Sequence, residues 1–216
     1  MSNPSPDTPQ DIRIIGLTGP MCAGKNRVGE LLATRGYIVL DTDPVAHQAL
    51  HAVKDAVLLA FTGEAVKLGV CLTNNDGSIN RRALGALLFS DPQLLSRHEG
   101  IIYPKIDELI NEFIREQATK DSCPGIVINA PLLHKSAVLS RCQLVIFVHA
   151  NLFLRIFRSR RRDKLPFIQI FRRFYAQRNL FSQYFSKGVD ILKVNNHGSI
   201  RALQKKLDRL LSQRGY

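Results

Sequence analysis

Residues 12–36 read IRIIGLTGPMCAGKNRVGELLATRG, an apolar run that enters a glycine-bearing turn and leaves it as an amphipathic helix. The turn, GPMCAGKN at 19–26, fits GxxxxGK, the loop that wraps backbone N–H groups around phosphate oxygens. Gly19 and Gly24 suit it because the curl needs positive φ and close backbone approach. The helix that follows points its positive end at the anion, and Lys25 supplies charge for the β- and γ-phosphates. Pro20, Met21, Cys22, Ala23 and Arg27 complete the expected ATP-binding loop. Ser or Thr usually follows the lysine and sets its hydroxyl on magnesium, whereas this chain has Asn26. An amide oxygen is a poorer ligand than a hydroxyl at this short reach. The sequence therefore predicts weakened magnesium binding at Asn26, or an Asn26 that only caps the helix.

Outward from this loop, four more β-rich runs follow: YIVLD (37–41), GIVINA (125–130), QLVIFVH (143–149) and VDILKV (189–194). All five read as fully buried strands. A helical pattern separates each from the next, which predicts an α/β fold with a five-stranded parallel sheet and helices on both faces. The spacing is uneven. Residues 44–69, 80–90 and 93–119 read as helices, a helical insertion over about 44–119 between the second and third strands. Between the fourth and fifth lies RIFRSRRRDKLPFIQIFRRFYAQRNLF, two basic helical segments broken near Pro166. A last helix is expected over about 199–213, with Ser199 as N-cap.

Ligands of an open parallel sheet bind beyond the carboxyl ends of its strands. Asp41 and Asp43, in LDTDP, fall at such an end. A carboxylate there can take a proton from a substrate hydroxyl or hold magnesium through water, and Asp43 before Pro44 also fits an N-cap. The segment from Arg155 to Arg178 holds nine Lys or Arg against one acid, Asp163. Its place between the last two strands suits a lid, over about 155–180, that closes arginines on a transferring phosphoryl group. Arginines interleaved with aromatics also suit single-stranded nucleic acid.

The bulk numbers set bounds. A chain of 216 residues buries a full core, and a net charge of +12 predicts an anionic partner without choosing which. No apolar run reaches the roughly 18 residues of a membrane span, and residues 1–11 read as a disordered tail without the pattern of a signal peptide. Cys22, Cys71, Cys123 and Cys142 are widely spaced with no CxxC pair, which fits a reducing cytoplasm.

In order and wording these motifs resemble the dephospho-coenzyme A kinase family over about residues 12–198. IIGLTGPMCAGKNRV resembles its phosphate loop, and VLDTDPVAHQAL its paired-aspartate segment. DGSINRRALGALLF is similar to its segment near the acceptor, and APLL (130–133) and VNNHGS to its later motifs. The resemblance implies a P-loop kinase core with a helical acceptor domain and a lid. It also implies transfer from ATP, with magnesium, to the ribose 3′-hydroxyl of dephospho-coenzyme A. On this reading Asp43 is the base, Arg158 and Arg162 are lid arginines, and Gln177 matches a glutamine beyond the lid. Asn196 and Gly198 lie by adenine, while Asp41, Asp43, Arg81, Leu84, Pro131 and Leu132 face the acceptor, and Asp41 holds magnesium through water. The chain departs from the family at Asn26, Arg27, Tyr103, His134 and His149. A binder of nucleotide or nucleic acid without turnover, or a kinase for another nucleoside or nucleotide acceptor, is the alternative.

Overall fold

The structure is a computed structural model that describes residues 12–119, 123–163, 180–185 and 188–216. The expected tail, Pro166, Gln177 and most of the expected lid lie outside the described residues, as does the side chain of Arg162.

Five strands form one parallel sheet: β1 (Ile14–Thr18), β2 (Ile38–Asp41), β3 (Ile126–Asn129), β4 (Leu144–His149) and β5 (Ile191–Asn195), in the order β2-β3-β1-β4-β5. The central strands β3 and β1 are buried throughout, and β4 all but its last residue, because helices cover both faces of a parallel sheet. The edge strands depart from the expectation of five fully buried strands. β2 is only half-buried and ends exposed at Asp41, and β5 alternates, because each has a neighbour on one side only.

The chain divides into two compact units, 1–41 with 114–216, and 42–113. In the first, α1 (Lys25–Ala33) packs Val28, Leu31 and Leu32 into a core with Ile15, Leu17 and Val127. The same core receives the Leu203, Leu207 and Leu211 stripe of the last helix, Ile200–Ser212. Ser199 caps that helix as expected, its Oγ accepting from Ala202 N at 3.3 Å.

The second unit holds α2 (Thr42–Ala52), α3 (Lys54–Lys67), α4 (Arg81–Leu88) and most of α5 (Pro92–Ala118). Val57, Phe61, Leu72, Leu84 and Leu87 form its core. Two boundaries differ from the sequence reading. The helix expected over 44–69 is interrupted at Val53, and α2 begins at Thr42, so Asp43 lies within its first turn and not at an N-cap. Asn80 caps α4 by accepting from Ala83 N, and Pro104 is carried inside α5. Beyond β4 the chain forms α6 (Leu152–Asp163) and the short α7 (Ser182–Phe185), so the last helix is α8.

Candidate functional site

Buried β1 delivers the phosphate loop at the carboxyl end of the sheet. Gly19 has φ 148°, and a Cβ there would stand 2.3 Å from the carbonyl oxygen of Val148 on neighbouring β4. Gly24 has φ 98°, and a Cβ there would stand 2.2 Å from Asn196 Nδ2. Both glycines are thus required by conformation and by space. Cys22 also adopts positive φ, at 61°, and Ala23 is fully buried, its N–H donating to Pro20 O at 3.1 Å. Gly24 is the N-cap of α1 and brings no side chain to it, which leaves the N–H groups of the first turn directed into the loop. Lys25 Nζ donates to Gly19 O at 3.1 Å, spanning the loop.

Three side chains brace this loop from behind. Arg155 Nε donates to Met21 O at 2.9 Å, and Arg158 Nη1 to Cys22 O at 3.4 Å and Ala23 O at 3.3 Å. Asn196 Nδ2 donates to Ala23 O at 2.9 Å, while its carbonyl accepts from Arg158 Nη2 at 3.3 Å and its N–H donates to His149 O at 2.7 Å. Arg158 and Asn196 therefore belong to one network. Gly24, Arg27, Arg158, Asn196, Gly198, Ile200 and Leu203 line a cavity of about 250 Å³ beside the loop. Arg27, also expected in the loop, is exposed and bonds to Glu30 one turn on.

Asn26 does not cap α1. Its Oδ1 accepts from Nδ2 of Asn129, which is buried at the end of β3 at 3.3 Å. Asn129 in turn stands in register with Leu17 of β1 and Asp41 of β2. The amide that replaces the loop hydroxyl is thus tied to β3, the strand that pairs with β2 and its terminal Asp41. Ala130 separates Pro131 and Leu132 from β3, with Pro131 O accepting from Thr18 Oγ1 at 3.3 Å and Leu132 38% exposed. Thr18 Oγ1 also meets Tyr184 Oη at 2.8 Å, and Tyr184 Oη accepts from His134 N at 3.2 Å. Burial pushes the Tyr184 hydroxyl above its ordinary range. His149 and His197 stack edge to face at 5.7 Å, and Nδ1 of His197 accepts from Asn151 N. Burial, helped by the charges of Lys193, His197 and Arg155, lowers the His149 pKa and keeps the ring neutral.

In the second unit Asp43 is exposed on the first turn of α2, and Arg81 reaches His47 on the same helix. Leu84, placed near the acceptor by the sequence resemblance, is 3% exposed and lies in the hydrophobic core, because α4 turns its apolar face inward. Its part is to seat α4, which carries Arg81. Asn129, Arg155 and Tyr184 were not identified from sequence. Asn129 had a signal, being the one polar residue inside the apolar run GIVINA, whereas Arg155 was one cation among many.

Residues 13–199 match the family model CoaE, dephospho-CoA kinase. Among curated relatives, a dephospho-CoA kinase of Treponema denticola is 37% identical over 215 residues, covering 100% of this chain and 96% of that protein. One of Treponema pallidum is 37% identical over 203 residues, covering 94% and 95%. A crystal structure from Thermus thermophilus is 28% identical and superposes with a TM-score of 0.75, covering 94% of this chain and 98% of that one. A dephospho-CoA kinase from Campylobacter jejuni shares the fold at 19% identity and a TM-score of 0.59, covering 93% and 96%.

Proposed function

Since the chain belongs to the dephospho-CoA kinase family, we propose that it transfers the γ-phosphoryl group of ATP to the ribose 3′-hydroxyl of dephospho-coenzyme A. The observation that carries this reading is the phosphate loop, whose two glycines no other residue could replace in place, followed in the chain by a carboxylate on the first turn after β2. In the reaction the 3′-oxygen forms a bond to the γ-phosphorus as the bond to the bridging β–γ oxygen breaks and ADP leaves. The hydroxyl proton passes to Asp43, late in a loose transition state.

Catalysis of this kind is mostly positioning and charge. The loop N–H groups and Lys25 hold the phosphates, and Arg158 adds charge beside them while fixing the carbonyls of Cys22 and Ala23. Arg162, one turn further along α6, is assigned the same role. Asn196 and Gly198 border the cavity that takes the nucleotide base. Pro131 and Leu132, at the end of β3, are assigned to the acceptor.

Magnesium, when bound, would neutralise charge on the phosphates of ATP. The donor set fits a weakly held ion kept largely by water and phosphate. Asn26 offers one neutral oxygen already bonded to Asn129, and Asp41 is an exposed carboxylate in register with Asn129. Among the described residues no helix is long and apolar enough to cross a membrane. The four cysteines are widely spaced along the chain, and we place the protein in the reducing cytoplasm. The experiment compares ADP release with dephospho-coenzyme A for the wild type, Lys25→Ala and Asp43→Ala. Each variant should lose at least about 100-fold in kcat, and near-normal turnover in either would remove the assignment.

A further inference from the structure

The second unit contains a cavity of about 470 Å³ between α2, the start of α3, and the tight turn that leads to α4. His47, His51, Lys54, Asn74, Asp76 and Arg81 supply its polar groups. Two are fixed cations and two are imidazoles. The single acid, Asp76, is turned onto its own loop, accepting from Ser78 N at 2.9 Å and Ser78 Oγ at 2.6 Å. Those bonds, and more weakly Lys54, hold the Asp76 carboxyl below its ordinary range, so it stays ionised and stabilises the turn. Arg81 is held against His47, which draws its guanidinium to the α2 side of the cavity. The balance of charge therefore favours an anion.

The position of the cavity says which anion. Asp43, His47 and His51 stand four residues apart on the exposed side of α2, whose opposite side buries Thr42, Val45 and Ala49. Side chains at that spacing lie one above another on a helix, about 6 Å apart along its axis. The cationic cavity thus begins one turn from Asp43 and continues to Lys54, just past the end of α2. A ribose with its hydroxyl at Asp43 would carry its 5′ substituent over a comparable distance, because only the ring and one methylene separate the 3′-oxygen from the first phosphate.

We propose that this cavity is the diphosphate subsite for the acceptor, with Lys54 and Arg81 as its charged ligands and His47 and His51 as hydrogen-bonding walls. The inference rests on the assignment of Asp43 to the 3′-hydroxyl. Lys54 is the residue that distinguishes it from that assignment, since no phosphate-loop or aspartate motif contains it. Binding of a diphosphate by two cations selects acceptors that carry one, and disfavours adenosine or other unphosphorylated nucleosides.

The experiment measures steady-state kinetics of the wild type, Lys54→Met and Lys54→Arg, together with calorimetric binding of dephospho-coenzyme A in the presence of a non-hydrolysable ATP analogue. Lys54→Met should raise the KM and the Kd for dephospho-coenzyme A by about tenfold, the loss of one charge-assisted bond. The KM for ATP should move less than twofold, and Lys54→Arg should recover most of the affinity. Circular dichroism of Lys54→Met controls for the fold. A folded Lys54→Met with unchanged affinity for dephospho-coenzyme A would overturn the subsite, as would equal losses toward both substrates. Absence of transfer by the wild type would overturn the activity beneath it.

Discussion

Gly24→Ala places a Cβ where the structure has Asn196 Nδ2, 2.2 Å away, on a residue with φ 98°. Two costs follow. Left-handed backbone costs a residue with a Cβ about 1–2 kcal/mol. Moving Asn196 aside breaks its 2.9 Å bond to Ala23 O inside a buried network, about another 1 kcal/mol. The expected destabilisation is therefore about 2–3 kcal/mol, read from urea unfolding of the purified chain. Because the strain falls on the loop that aims its N–H groups at phosphate, ATP affinity measured by calorimetry should weaken by about tenfold for each charge-assisted bond lost. Asn196→Ala removes the obstructing amide, so in the double variant the second substitution should cost less than it does alone. Strict additivity, or a Gly24→Ala protein within about 0.5 kcal/mol of wild type with unchanged ATP affinity, would refute the reading of the loop.

Burial lowers the pKa of His98 from its ordinary 6.5, outweighing the opposing charge of Glu99, and its Nε2 has no hydrogen-bond partner among the described residues. The unfolded chain therefore takes up the proton first, and stability is expected to fall as pH drops below 6.5; His98→Phe should flatten that slope in denaturant titrations from pH 5 to 8. Asn26→Thr should restore a loop hydroxyl and lower the magnesium concentration for half-maximal rate; an unchanged or higher requirement would place Asn26 away from the metal. The Cys71 thiol is exposed and lowered in pKa by its bonds to Thr73, whereas burial pushes Cys142 up to about 12. Mass spectrometry after brief alkylation of the native protein should find Cys71 modified and Cys142 untouched; the reverse order would contradict the burial of Cys142.

The centre of the sheet was legible because β1, β3 and β4 are buried on both faces and read as unbroken apolar runs. The phosphate loop was legible because its geometry demands glycine at fixed positions. The half-burial of β2 and β5 was not, since it depends on strand order and not on any strand's composition. Neither was the interruption at Val53, which has no proline or glycine to mark it. The link from Asn26 through Asn129 to β2 joins residues about a hundred apart in the chain, and exists only through the register of three strands. The cationic cavity is similar in origin. His47, His51 and Lys54 read as an unremarkable exposed helix until the turn at 74–79 is folded beside them.

The most direct test of the account is the identity of the product. Purified protein is incubated with ATP, magnesium and dephospho-coenzyme A, and the product is weighed by mass spectrometry and its phosphate located by phosphorus NMR. The account requires one added phosphoryl group, on the ribose 3′-oxygen, with an equal amount of ADP and no product from Lys25→Ala. Phosphate at another position, or ATP binding that depends on Lys25 with no transfer to this acceptor, would contradict it.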